Sequence, residues 1–299
     1  MSRTITVGFD GSLESRAAAE WAAREAMLRG ARLLLVHVWE PVPEFMAETL
    51  GGDALRHKGE RLPREAAAGL RGRHPGLDVA VEQTSGHPMD VLPRMAEDAG
   101  MLVLGSRGLS GVGGFLVGSV GMVVIARTET PVVLVRSGGH AEGEYEKQPA
   151  GAPPSPGAYR PVVLGLDTDH PHDSVIAFAF EEAARRGTAL KAVHGWKLPP
   201  YYAYALPADP RLGSELHGQQ AAALAETLLP WRKKYPEVEV IEESRSGSPA
   251  DRVIDASREA SLVVVGRRIR RGPLGARIGT VTHAVLHHAT APVAVVAHD

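Results

Sequence analysis

Short apolar runs alternate along this chain with longer amphipathic stretches. In the first half, five β-branched runs read TITVGF, RLLLVHV, LDVAVE, MLVLG and PVVLVR, and the segments between them are long enough to form helices. Near-continuous apolar runs are typical of parallel strands that are buried on both faces. The pattern therefore predicts a doubly wound α/β fold around a five-stranded parallel sheet.

The first predicted helix of each half has apolar residues at helical spacing, so that they form one stripe. These residues are Ala18, Trp21, Ala22 and Ala26 in the first half, and Val175, Phe178, Ala179 and Ala183 in the second. We expect both stripes to pack against the sheet.

The whole pattern occurs twice. The motif VGFDG near residue 7 returns as LGLDT near residue 164, and a glycine-rich motif near residue 105 returns near residue 266. Further matches pair Gly30 with Gly187, His37 with His194, Trp39 with Trp196, Gly118 with Gly279 and Pro131 with Pro292. We therefore predict two tandem Rossmann-like domains at residues 1–136 and 160–299. A segment rich in Pro, Gly and charge, residues 137–159, is the predicted linker.

Composition narrows the classes of function. The 299 residues carry a formal net charge of -2, and 44% are hydrophobic, so no overall field favours nucleic acid or an anionic membrane. No leader-like or membrane-spanning apolar segment is evident, which leads us to expect a cytoplasmic protein. The absence of cysteine excludes disulfides, thiolate metal sites and cysteine nucleophiles.

The glycine-rich stretch GSRGLSGVGGFLVGSV, residues 105–120, is the main candidate for chemistry. It follows a predicted strand and precedes an apolar helix, for which Ser119 is the predicted N-cap. Glycines let backbone N–H groups approach phosphate oxygens, and a helix N-terminus adds partial positive charge. The stretch matches neither a P-loop nor a dinucleotide fingerprint. Tight packing of a crossover remains the alternative reading.

A carboxylate follows the first strand of each half, Asp10 in one and Asp167 in the other. At that position it can accept hydrogen bonds from ribose hydroxyls or an adenine amine. A turn or N-cap aspartate is the alternative, and duplication copies structural residues as well as functional ones.

The spacing Gly105-x-x-Gly108, nine residues, then Gly118-Ser119, with an aspartate after the first strand, resembles the ATP-binding branch of the universal stress proteins. The resemblance covers both halves apart from the linker. It implies the strand order 3-2-1-4-5, which would bring Asp10 beside Gly105. Such proteins mostly bind ATP and act in stress survival or growth control, usually without strong enzymatic turnover.

The resemblance also assigns site residues and an assembly. The aspartate would contact adenosine, backbone groups at the end of the second strand would hold adenine, and the glycines with Ser119 would wrap the phosphates. The candidates in the first domain are Asp10, His37, Val38, Gly105, Arg107, Gly108, Gly118, Ser119 and Val120. Those in the second domain are Asp167, His194, Gly266, Arg268, Gly279, Thr280 and Val281. The last strand of each domain would form an internal pseudo-twofold dimer and further homo-oligomers.

The second copy departs from the pattern at Ile269, which stands where the first copy has Gly108. A β-branched residue is poorly suited to positive φ or close backbone approach. Nearby arginines could replace backbone contacts to phosphate, although solvated charges are the more common outcome. We therefore hypothesise that the first domain binds ATP more securely than the second.

Several histidines lie close to carboxylates in the sequence, so a metal site has to be considered. The segment DTDHPHDS, residues 167–174, combines imidazoles with carboxylates, but in a turn such groups usually act as caps, so we assign no metal ligand. Magnesium carried on the ATP phosphates is the more plausible cation. His287 and His288 are interpreted as surface or packing residues. Trp39 and Trp196 either flank adenine or lie at the rim or in the core.

Three functions remain open: an ATP-binding regulator, an ATPase or other nucleotidyl enzyme, and a scaffold with a degenerate site. Neither glycine-rich loop offers an evident lysine or an arranged base and nucleophile, so we assign no catalytic residue. We favour the regulator in stress response or growth arrest. The sequence does not identify its protein partner.

Overall fold

The computed structural model describes residues 4–40, 52–106, 118–137, 141–146, 158–197, 210–269 and 278–299. The chain folds as two compact units, one built from the described residues up to 137 and the other from those after 140. Each unit is a parallel sheet with helices in the crossovers. The predicted α/β class and the tandem arrangement are confirmed.

The first domain contains five parallel strands in the order β3-β2-β1-β4-β5, which confirms the order that the resemblance implied. The strands are β1 (Thr4–Gly8), β2 (Arg32–Trp39), β3 (Val79–Ser85), β4 (Met101–Ser106) and β5 (Val132–Arg136). The helices are α1 (Leu13–Arg29), α2 (Gly52–Arg73), α3 (Pro88–Glu97) and α4 (Ser119–Arg127).

The second domain repeats this topology, with the order β8-β7-β6-β9-β10. Its strands are β6 (Val162–Gly165), β7 (Leu190–Trp196), β8 (Val240–Ser246), β9 (Leu262–Arg268) and β10 (Val293–His298). Its helices are α5 (Asp173–Arg186), α6 (Pro210–Lys234), α7 (Pro249–Ala256) and α8 (Thr280–His288). Within the predicted linker, the chain forms a short 3-10 helix, Ala141–Glu144, and an antiparallel bridge between Tyr145 and Tyr159.

The predicted stripe of α1 is confirmed, because all four of its residues are buried. In α5 the prediction was wrong at Phe178, which is only half-buried, whereas Phe180 is fully buried. Phe180 stacks on Trp231 of α6 and on Tyr235, which directly follows α6, with ring centroids 6.2 and 5.5 Å away. The buried face of α5 is thus turned toward α6 as well as the sheet.

The equivalent helices α1 and α5 end alike and begin differently. Gly30 and Gly187 cap their C-termini with φ of 58° and 59°, the left-handed conformation that favours glycine. However, α1 has 17 residues and α5 has 14. The second domain therefore lacks about one helical turn at the start of its first helix and has a longer loop there.

No helix in the described part of the chain combines the length and the apolar character needed to span a membrane.

Candidate nucleotide sites

A cavity of about 230 Å³ lies in the first domain at the carboxyl ends of β1, β2 and β4. Ligands bind at this edge of open α/β sheets, beside the point where the strand order reverses. Six of the predicted site residues line it, namely Asp10, Val38, Gly105, Gly118, Ser119 and Val120. Arg107 and Gly108 lie outside the described residues.

Asp10 is held by the turn that leads into α1. Its Oδ1 accepts hydrogen bonds from the backbone N–H of Ser12 at 2.9 Å and from the Ser12 hydroxyl at 2.5 Å. Burial by itself would raise the pKa of Asp10, but the hydrogen bonds from Ser12 and Ser15 outweigh it and leave the pKa below its usual value. Asp10 is therefore both a turn residue and an ionised carboxylate at the cavity.

His37 does not line the first cavity, although its neighbours Val36 and Val38 do. The side chains of a strand alternate between its two faces, which separates His37 from these two valines. Its Nδ1–H donates to the carbonyl oxygen of Phe9 at 2.8 Å and so joins the ends of β1 and β2. The side chain of His37 has a structural role.

The N-terminus of α4 opens into the first cavity. Its N-cap is Gly118, so the prediction of Ser119 as N-cap was wrong by one position; Ser119 is the first helical residue. No side chain among the described residues caps this helix, and the N–H groups of a first helical turn have no intrahelical acceptor. A Cβ on Gly118 would meet no described atom within 4 Å. The helix end therefore offers uncapped donors and open space, which suits an anion.

Gly105 lies against the first turn of α1. A Cβ at this position would lie 2.6 Å from the carbonyl oxygen of Glu14, which is far too close. Glu14 lines the same cavity, and its carboxylate accepts a hydrogen bond from the hydroxyl of Ser137 at 3.0 Å. Gly105 is thus required for packing, whatever else it contacts.

The equivalent cavity of the second domain is larger, at about 1020 Å³. All seven predicted site residues of this domain line it, namely Asp167, His194, Gly266, Arg268, Gly279, Thr280 and Val281. As in the first domain, a glycine, Gly279, is the N-cap of the adjacent helix α8, without a side-chain cap and with no described atom within 4 Å of a Cβ.

The start of α5 differs from that of α1 at this cavity. Its N-cap is His172, whose ring stacks on that of His298 with centroids 3.6 Å apart. A Cβ on Gly266 would lie 2.9 Å from the His298 ring, so imidazole occupies the place that the Glu14 backbone takes in the first domain. In the second domain, the side chains of His172 and His298 therefore lie where the first turn of α1 lies in the first domain.

The described walls of the two cavities differ in charge. The first has the carboxylates of Asp10 and Glu14 and no Lys, Arg or His. The second has Asp167 and Asp169, together with basic side chains. These are Lys197, Arg268 and the imidazoles of His170, His172, His194 and His298. The second cavity is the better match for an anionic ligand.

His194 repeats the role of His37 and adds a contact. Its Nδ1–H donates to the carbonyl oxygen of Leu166 at 3.1 Å, and its Nε2 lies 2.8 Å from the amide oxygen of Gln220. Gln220 also lines the cavity. Nothing in the sequence pattern indicated Gln220, since it lies on α6, where the two halves show no clear repeat.

Trp196, at the end of β7, also lines the second cavity, whereas Trp39 is not among the described residues that line the first. The Nε1–H of Trp196 is buried and has no acceptor among the described residues. A ligand atom in the cavity could supply that acceptor.

Asp167 is exposed and accepts a hydrogen bond from the backbone N–H of Asp169 at 3.1 Å, the same kind of turn that Asp10 forms. His170 lies 3.5 Å from its other oxygen. Across the described ranges, no three His, Asp or Glu side chains are grouped so as to hold a metal ion.

Comparison with known proteins agrees with the fold. The model of the universal stress protein family matches residues 1–136 and 158–297. A universal stress protein of Mycobacterium tuberculosis is 34% identical over 97% of this chain and 96% of its own length, and one of Mycolicibacterium smegmatis is 33% identical over 98% and 96%. A crystal structure of a universal stress protein from Archaeoglobus fulgidus aligns over the full length of both chains, with a TM-score of 0.70 and 18% identity. The chain belongs to the universal stress protein family.

Proposed function

We propose that this protein binds ATP and acts as a nucleotide-dependent regulator in stress response or growth arrest, with its principal site in the second domain. One observation carries the proposal: the seven candidate residues of that domain all line a single cavity of about 1020 Å³. Protein pockets that bind small-molecule ligands have volumes of roughly 300–1,000 Å³. The first cavity, at about 230 Å³, lies below that range.

The residues of the second cavity fit the parts of a nucleotide. The uncapped N-terminus of α8, beside Gly279 and Arg268, suits phosphate oxygens. The carboxylate of Asp167 can accept hydrogen bonds from ribose hydroxyls, and the buried Nε1–H of Trp196 can donate to a purine nitrogen. Magnesium, if required, would be held mainly by the phosphates.

This proposal reverses the expectation that the first domain binds ATP more securely. That expectation rested on Ile269, which replaces the second glycine of the loop motif. Cavity size and the charge of the walls favour the second domain instead. In the first domain, the carboxylate of Glu14 would repel phosphates unless a cation lay between them.

A slow ATPase and a scaffold with a degenerate site remain the alternatives. Family membership supports a stress-related role and leaves turnover open. A cytoplasmic location, and self-association through the last strand of each domain, are further proposals. Light scattering after size-exclusion chromatography tests the association.

The experiment begins with protein purified without added nucleotide, which is denatured so that released nucleotide can be identified by mass spectrometry. The preparation is then titrated with ATP, and phosphate release is followed over many turnovers. We expect ATP to bind without sustained phosphate release. Sustained release would favour the enzyme, and failure to bind any nucleotide would favour the scaffold.

A further inference from the structure

We propose that the stacked pair His172 and His298 is a proton-linked phosphate-binding element of the second cavity, so that binding of a nucleoside di- or triphosphate takes up a proton and strengthens as the pH falls. This inference rests on the proposed nucleotide site and adds a mode of regulation to it.

The pair lies where the phosphate-binding groups converge. Both imidazoles line the cavity, with centroids 3.6 Å apart. The His298 ring packs over Gly266, whose carbonyl oxygen accepts a hydrogen bond from the Thr282 hydroxyl of α8 at 2.7 Å. His298 is also the register partner of Arg268 at the ends of β10 and β9. The imidazoles, a guanidinium and a helix N-terminus therefore meet at one end of the cavity.

His298 is arranged to accept a proton. Its Nδ1–H donates to the backbone oxygen of Asp299 at 3.1 Å, so in the neutral ring Nε2 carries the lone pair. Nε2 is also one of the ring atoms closest to Gly266 at the cavity wall. Burial lowers the pKa of His298 in the free protein; the hydrogen bond to Asp299 opposes this in part, and the electrostatic effects of His172, Arg268 and Arg267 lower the pKa further.

Titratable and charged groups approach this pair from several elements. Asp167, Asp169 and His170, in the loop after β6, line the same cavity; Arg267 and Arg268 lie at the end of β9; Asp173 and Asp299 directly follow the two histidines in the chain. The two arginines oppose protonation, whereas the carboxylates are exposed and partly screened by water.

A polyphosphate at this end would offset the repulsion between the positive groups. The pKa of His298 would then be higher in the complex than in the free protein, which means that binding takes up a proton. Affinity therefore rises as the pH falls through the complex pKa and levels off below the free pKa. Each pKa unit of difference corresponds to about a tenfold change in affinity.

The test is calorimetric titration of the full chain with ATP at about pH 7.5 and about pH 5.5, in buffers that differ in ionisation enthalpy. His298→Gln and His172→Gln are compared with the wild type. His283→Gln is the matched control, because His283 lies on α8 in the same domain, is exposed and does not line the cavity. ATP also titrates in this range, but that contribution cancels in the ratio of wild type to variant.

We expect the affinity ratio of wild type to His298→Gln to rise about tenfold between the two pH values, with greater proton uptake in the wild type. The ratio of wild type to His172→Gln should rise less, His283→Gln should show the same pH dependence as the wild type, and the affinity for uncharged adenosine should not depend on His172 or His298. Equal proton uptake and a constant ratio would overturn the inference and leave the nucleotide site standing. If neither ATP nor adenosine binds the wild type, the proposed function and this inference both fail.

Discussion

The carbonyl oxygen of Glu14 lies 2.6 Å from the position that a Cβ on Gly105 would occupy. The conflict is with backbone rather than with the flexible end of a side chain, so relief requires α1 to move away from β4. We expect Gly105→Ser to lower the free energy of unfolding by about 2–3 kcal/mol, the cost of overpacking a tight site. Chemical denaturation measures this loss.

Gly118→Ser provides the matched control. Gly118 has φ of -61° and no described atom within 4 Å of a Cβ, and serine is a favoured N-cap residue. We expect its stability to stay within about 0.5 kcal/mol of the wild type. Equal destabilisation at both positions would contradict the packing role assigned to Gly105.

Glu182 is fully buried in α5 and forms ion pairs with Arg185 and Arg186. We expect Glu182→Ala to cost about 3 kcal/mol, because it removes the carboxylate that compensates the buried guanidinium of Arg186. Arg185→Ala should cost under about 1 kcal/mol, since that side chain is partly exposed. Urea denaturation distinguishes the two, and a loss below about 1 kcal/mol for Glu182→Ala would refute the argument.

Acid should weaken a contact between α1 and the end of α2. Burial alone would raise the pKa of Glu20, but hydrogen bonds from His74 and Arg73 outweigh it and lower the pKa below 4.5. The folded-state pKa lies below the unfolded one, so the stabilisation is present above about pH 4.5 and is lost as the pH falls through the folded value.

Glu20→Gln should therefore reduce stability near neutral pH, by under about 1 kcal/mol because Glu20 is partly exposed. The difference from the wild type should vanish in acid, as measured by unfolding free energy against pH. Glu97→Gln, at an exposed position at the end of α3, is the control and should show no such trend. A difference that persists at low pH would argue against the ion-pair explanation.

The sequence predicted the strands and their tandem repeat because buried parallel strands are nearly continuous apolar runs, such as PVVLVR at β5. The sequence pattern did not identify Phe180 as a core residue. Periodicity predicts which residues of α5 are apolar and share a face, but it does not predict that this face also packs against α6. The strand order implied by the family resemblance placed Asp10 beside Gly105, and both residues line one cavity.

The site in the second domain was harder to foresee. The late start of α5 replaces a helical turn by side chains, and the repeat aligns His298 with Ser137, so the comparison of the two halves gave no indication of an imidazole pair. Cavity volume and wall charge depend on such three-dimensional substitutions. Cavity volume and wall charge therefore leave no recognisable pattern in a single sequence.

The most direct test of the central claim is a calorimetric ATP titration of Gly279→Asp, with Gly279→Asn and Gly118→Asp as controls. Aspartate at an N-cap stabilises a helix, so the variant should fold, but its carboxylate would occupy the place proposed for phosphate. Asparagine caps equally well without the charge.

We expect Gly279→Asp to weaken ATP binding at the strongest site by tenfold or more, or about 1.4 kcal/mol. Gly279→Asn should weaken it less, Gly118→Asp should leave that site intact, and the melting temperature should not fall in any of the three. Unchanged ATP affinity in Gly279→Asp, or loss of the strongest site in Gly118→Asp alone, would contradict the assignment of the principal nucleotide site to the second domain.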